Sequence, residues 1–269
     1  MTLNTAFKQV FGEGLKEYGF VKAKCGYPIF GRCVNNGIVH AITFRKGYRS
    51  KDICIMCGVA TVYRAEILLP EKKTEIDSVM YSEWFDRMYS FEGLHEHISI
   101  PYNDRDTEQA VIYALGQTKR FILPELDKAD SPAGCTEYYL KMQRFFSSLS
   151  LRGLYENKEF EVKYPKDREN EAMLWVLLND RARFRDLCGL WLENMLRNIE
   201  LWEKDGSWGN DLNEDRTSAE QTYTKSLAYY DKVFEDKEWL SKAHAELERR
   251  RAHNLLKLKE YGLITEEKQ

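Results

Sequence analysis

The amino-acid sequence predicts an α+β fold: an N-terminal helix packed on an antiparallel β-meander, followed by a mostly helical C-terminal region. Three observations carry this. Apolar residues between about 4 and 18 recur at three- and four-residue spacing. Between 20 and 63 they form β-branched runs broken by turn signals, and beyond about 134 the helical spacing returns and persists. Strands followed by a run of helices, without strand–helix–strand alternation, define this class.

The first helix rests on Phe7, Val10, Phe11, Leu15 and Tyr18, which share one face. Gly19 is expected at its C′ position, while Gly12 and Gly14 lower its intrinsic propensity. The runs PIFGRCV (28–34), IVHAITFRKG (38–47) and DICIMCGVATVY (52–63) follow. Asn36-Gly37 between the first two is a strong hairpin signal, because a type I′ turn needs positive φ at its central residues. A second, more basic turn joins the next two runs, so a meander of three or four strands is expected.

Residues 64–92 are acidic and aromatic without a clear period and read as a long connection with a short helix. HEHISIPY (95–102) alternates as a further strand. A helix is expected from Thr107 to about Leu126, with Asp106 as N-cap and Pro124 limiting its regular part. The turn formers of DKADSPAG (127–134) mark the best boundary, giving an α+β domain at 1–128 and a helical domain at 129–269. In the latter, Phe184, Leu187, Cys188, Trp191, Met195, Ile199 and Trp202 form one core stripe. Tyr223, Leu227, Tyr230 and Phe234 define a second helix, and Leu240, Leu247, Leu255 and Leu258 the last.

Cys54 and Cys57 stand in a C-x-x-C frame. On one continuous strand, positions three apart belong to opposite faces, so the pair cannot form a disulfide or share a metal. Redox C-x-x-C pairs sit at helix N-termini, and zinc knuckles need a second ligand pair that this chain lacks. The two cysteines read as packing residues.

Of 269 residues, 43% are hydrophobic and only 16 are Gly and 6 Pro, which excludes a disordered chain. The net charge of −3 does not mark a polyanion binder, although residues 1–70 are basic and 71–130 acidic. The N-terminus lacks the basic and apolar regions of a signal peptide, and the longest purely apolar run is Ala172–Leu178. The six cysteines suit a reducing compartment, so a cytoplasmic location without a membrane partner is expected.

Gly19-Phe20 closing the leading helix, Phe30 with Arg32, Ile42-Thr43-Phe44-Arg45-Lys46, and Gly58-Val59 together resemble the bacterial domain-of-unknown-function family 4304. In that family a helix ending in Gly-Phe precedes strands reading roughly f.R, i.fqk and f.inlGv. The resemblance covers about the first 65 residues and extends more loosely toward 130. It implies an α+β fold with an antiparallel sheet and a bacterial source. It assigns no activity and no catalytic residue.

Two constellations could carry chemistry. Arg45, Lys46, Arg49 and Lys51 surround Tyr48 in the basic turn, where cations could hold phosphate and the ring could stack on a base; the competing reading is a solvated hairpin tip. His95 and His97, two apart on a strand, share a face and could hold a metal with Asp104 or Asp106; the competing reading is a pair of ordinary edge histidines. Arg249, Arg250 and Arg251 lie beside Glu246 and Glu248, so intrahelical pairing accounts for most of their charge. No G-x-S-x-G, P-loop, G-x-G-x-x-G or H-E-x-x-H motif is present.

The function expected is that of a cytoplasmic bacterial binding or interaction protein without catalysis, with no cofactor and an unidentified protein partner. Two alternatives stay open. One is a metal-dependent enzyme using His95 and His97. The other is a phosphate or nucleic-acid binder acting through the Arg45–Lys51 turn, which the net charge ranks below a protein partner.

Overall fold

The computed structural model describes residues 1–35, 37–46, 52–64, 67, 69, 85–87, 100–101, 106–135, 138, 212–264 and helical positions between 185 and 204. Two compact units are formed. One combines Met1–Tyr138 with Arg249–Gln269, and the other is Tyr139–Glu248.

The first unit is built on an antiparallel sheet with an N-terminal helix, as its patterning demands. Helix α1 runs through Leu3–Ala6, a π-turn at Phe7–Phe11 and Gly12–Lys16. It ends as its glycine requires. Gly19 adopts φ 79°, its N–H reaches the Lys16 carbonyl, and Phe20 N–H reaches the Leu15 carbonyl, which is a Schellman closure. Strands β1 (Val21–Lys22), β2 (Phe30–Val34), β3 (Ile38–Lys46) and β4 (Asp52–Thr61) follow in meander order. Two short strands, β5 (Phe85–Arg87) and β6 (Ile100–Pro101), both pair with β4. Thus the 64–92 segment, expected as a connection with a helix, contributes a strand.

The β2–β3 hairpin lies where Asn-Gly pointed, but it closes on Val34 and Ile38, not on Asn35 and Ile38 as a two-residue Asn36-Gly37 turn requires. Val34 pairs with Ile38, Gly37 N–H bonds the Val34 carbonyl at 3.2 Å, and the positive φ (47°) falls on Asn35, not Gly37. Asparagine tolerates the left-handed region, so the three-residue loop can place it there.

The sheet is covered on both faces within this unit. On one, Phe7 stacks on Phe44 at 3.8 Å between ring centroids and Phe11 meets Phe30 at 5.9 Å. All four rings are buried, each gaining about 1.5–3 kcal/mol from leaving water. Gly12 and Gly14, unfavourable by propensity, are explained by approach: a Cβ on Gly12 would lie 2.5 Å from Phe30 Cε1, and one on Gly14 would strike Leu115. Leu115 belongs to helix α2, which comprises Thr107–Gln117, a π-turn at Thr118–Ile122 and Leu123–Lys128. The helix therefore passes Pro124 instead of stopping there. The π-turn restarts the α-helical ladder, which puts Pro124 in a first turn where its missing N–H costs nothing.

On the other face, Val39, Ala41, Met56 and Ala60 pack with Leu258 and Leu263 from the end of the chain. Leu258 lies in the last helix, α4 (Lys237–Glu260), which follows α3 (Leu212–Glu235), and Leu263 lies just beyond its end. Asp236 caps α4, its carboxylate accepting the Glu238 and Trp239 N–H groups at 3.0 Å. A second Schellman closure ends it at Gly262, φ 71°. Asn254, fully buried, accepts Ile67 N–H through Oδ1 (2.8 Å) and donates through Nδ2 to the Val62 and Arg64 carbonyls (2.9 Å each). Tyr261 Oη accepts Leu69 N–H. The described residues of the second unit are helical, with Arg185 paired to Asp231 and Arg216 to Glu203. Among the described residues, no helix is long and apolar enough to cross a membrane.

Candidate functional site

The densest described polar cluster grows from the β2–β3 register, which sets Arg32 directly opposite His40. Arg32 Nε donates to His40 Nδ1 at 3.1 Å. Its Nη1 donates to the Tyr18 carbonyl at 3.0 Å and its Nη2 to the Asp127 carboxylate. The guanidinium also lies 4.6 Å from the Phe20 ring centre. Three acceptors and one ring thereby hold a single fork, a task for which the planar guanidinium suits and an ammonium does not.

His40 is fully buried, and its Nε2 lies 2.8 Å from the Ala129 carbonyl. A guanidinium only donates and a carbonyl only accepts, so the partners dictate the tautomer: Nδ1 bare, Nε2 protonated. Burial lowers the His40 pKa to about 4; the Ala129 carbonyl opposes this, Arg32 reinforces it, and Asp127 and Asp130 oppose it. Around this pair, Asn35 Nδ2 donates to the Asp130 carbonyl at 2.8 Å, and Gly134 N–H to Ser131 Oγ at 3.1 Å. Tyr138 Oη lies 3.6 Å from Cys57 Sγ. DKADSPAG is accordingly a segment bonded onto the sheet.

The chemistry of these groups is that of a closed network. Both His40 nitrogens are engaged, which leaves no lone pair for a general base. Burial pushes the Cys25 and Cys33 thiols up and takes Cys135 up to about 12, so they are not thiolate nucleophiles at neutral pH. Among the described residues, no group of three His, Cys, Asp or Glu is placed to hold a metal ion.

Cys54 and Cys57 both lie on β4, three positions apart, and Cys57 is buried. Arg45 and Lys46 form the end of β3, in register with Cys54 and Ile53, so residues 47–51 connect two paired strands. Tyr48, Arg49 and Lys51 lie outside the described residues, as do the side chains of Arg45 and Lys46. His95, His97 and Asp104 also lie outside them. Asp106 occupies the N-cap position of α2 without a side-chain cap bond. Arg250 is buried, so Arg249–Arg251 is not an evenly exposed basic patch.

Sequence reading passed over the Arg32–His40 pair. Part of the signal was available, since a histidine within IVHAITF is expected to be buried with partners; the register was not, because a two-residue Asn36-Gly37 turn would set Arg32 opposite Ala41. The Ala129 carbonyl carries no such signal, because any residue supplies one. Comparison with protein-family models, with curated proteins and with solved structures finds no match for this chain.

Proposed function

We propose that this chain is a cytoplasmic bacterial binding or interaction protein without catalysis, its N-terminal unit related in fold to the uncharacterised family 4304. One observation carries the reading: in the described part of the first unit, the groups most able to do chemistry bond to one another. Both His40 nitrogens and all three Arg32 nitrogens bond to neighbours, and the buried Cys135 thiol is held protonated. Such a network stabilises a surface and leaves no free acid, base or nucleophile among these residues. On α2, Ile112 and Tyr113 are 44% and 43% exposed, apolar and aromatic groups of the kind a polypeptide partner contacts.

Native mass spectrometry of the gently purified, untagged chain tests this. A co-isolated polypeptide at fixed stoichiometry, lost in an I112S/Y113S double variant, supports the proposal. Stoichiometric metal or nucleotide overturns it in favour of an enzyme or a phosphate binder.

A further inference from the structure

We propose that helix α2 is where two copies of this chain meet, crossing antiparallel about a two-fold axis at the level of Ala114, so that Ile112 of one copy fills a notch at Gly116 of the other. Thr107, Ala110, Val111, Ala114 and Thr118 are buried, whereas Glu108, Ile112, Gly116 and Arg120 are exposed. These four recur every four residues and so form one ridge along the helix, and two such ridges pack side by side when helices cross at about 50°. Gly116 is not explained by the fold of its own chain. Its φ is not positive, and a Cβ there would meet nothing within 4 Å, whereas Phe30 and Leu115 need the space at Gly12 and Gly14. Glycine is a poor helix former, so the position carries a penalty with no return inside the monomer. A side chain entering from outside supplies one.

The ridge is complementary to itself. Reversed about its midpoint, it sets Ile112 against Gly116 and Glu108 against Arg120, and two-fold symmetry makes each match twice. A parallel crossing would instead set each charge against its own kind. Both charges are available for this. Among the described residues neither makes an ion pair; Arg120 rests on the Phe121 ring at 4.8 Å, while Lys119 beside it is held by Glu17. Tyr113 adds an exposed aromatic next to the ridge. One helix pair is a small interface, so the association depends on concentration. The pairing rests on the interaction reading above and names its partner as a second copy of the chain.

Sedimentation equilibrium of the full chain from about 1 to 300 μM, where small interfaces associate, tests this. The mass should rise from 31.7 kDa toward twice that value. Gly116→Leu should abolish the rise while leaving the monomer's melting temperature unchanged or higher, because leucine is the better helix former where nothing obstructs it. E108R and R120E should each weaken association by about tenfold, and E108R/R120E should restore it, since a two-fold contact pairs the exchanged charges again. A monomer across the range, a dimer that Gly116→Leu leaves intact, or a loss that the double exchange fails to restore overturns the pairing. A monomer that co-isolates with a different polypeptide, lost in I112S/Y113S, refutes the dimer and keeps the interaction reading. Metal or nucleotide bound to a dimer that passes these tests refutes only that reading. Should Gly116→Leu not fold, the charge exchange decides.

Discussion

Replacing Asn254 by leucine removes the clamp that ties α4 to the chain leaving β4. The side chain is fully buried and makes three hydrogen bonds, to Ile67 N–H and the Val62 and Arg64 carbonyls. Leucine is close in volume, so the cavity contribution is small and the polar loss dominates. The Ile67 N–H and Val62 carbonyl each lose their amide partner in a buried site, which costs about 2–6 kcal/mol in total. Since 1.4 kcal/mol is a factor of ten, the 62–69 amides should lose about thirtyfold or more in exchange protection. Hydrogen exchange suits the question because two units need not unfold together. Asn254→Asp discriminates further: it keeps the acceptor for Ile67 but aims a second acceptor at two carbonyls, and should also destabilise. Leu256→Ser, 62% exposed on the same helix, is the control and should change nothing. Protection in Asn254→Leu within about threefold of the native chain, less than 1 kcal/mol, would refute the clamp.

The remaining predictions address the sheet and its bonded segment. Because His40 has a folded pKa of about 4 against an ordinary 6.5, the unfolded chain binds more protons between these values. Its contribution to stability is therefore present above about pH 6.5 and lost as pH falls toward 4. The full loss is about 3 kcal/mol, read as a shallower pH dependence of urea unfolding in His40→Gln. Arg32→Leu should cost about 1–3 kcal/mol and raise the His40 pKa by removing the adjacent charge; NMR titration reads the shift, and Arg32→Lys should fail to restore all three bonds. Gly134→Ala should cost about 1–3 kcal/mol by thermal unfolding, since its Cβ would meet the Lys128 carbonyl oxygen at 2.5 Å and backbone cannot step aside.

Much of this fold was local enough to read from the chain. The α1 stripe, its Gly19 closure, the order of β2, β3 and β4, and the two long C-terminal helices follow from periodicity and turn chemistry. So did the cysteine pair, because strand alternation at Cys54 and Cys57 is a property of the backbone. Where local preference competed with packing, packing won. Gly12 and Gly14 are tolerated in a helix because Phe30 and Leu115 need the space. Pro124 is tolerated because a π-turn restarts the ladder.

The candidate site divides the same way. A two-residue turn at Asn36-Gly37 would set Arg32 opposite Ala41; the structure closes the hairpin on Val34 and Ile38 and so sets Arg32 opposite His40. Only the tertiary structure decides that the Ala129 carbonyl, 89 residues away, completes the pair, and that Asn254 reaches 190 residues back to the chain beyond β4. Those bonds join backbone groups that every residue carries. Their positions are set by the packing of helices on the two sheet faces, and no residue type announces them in advance.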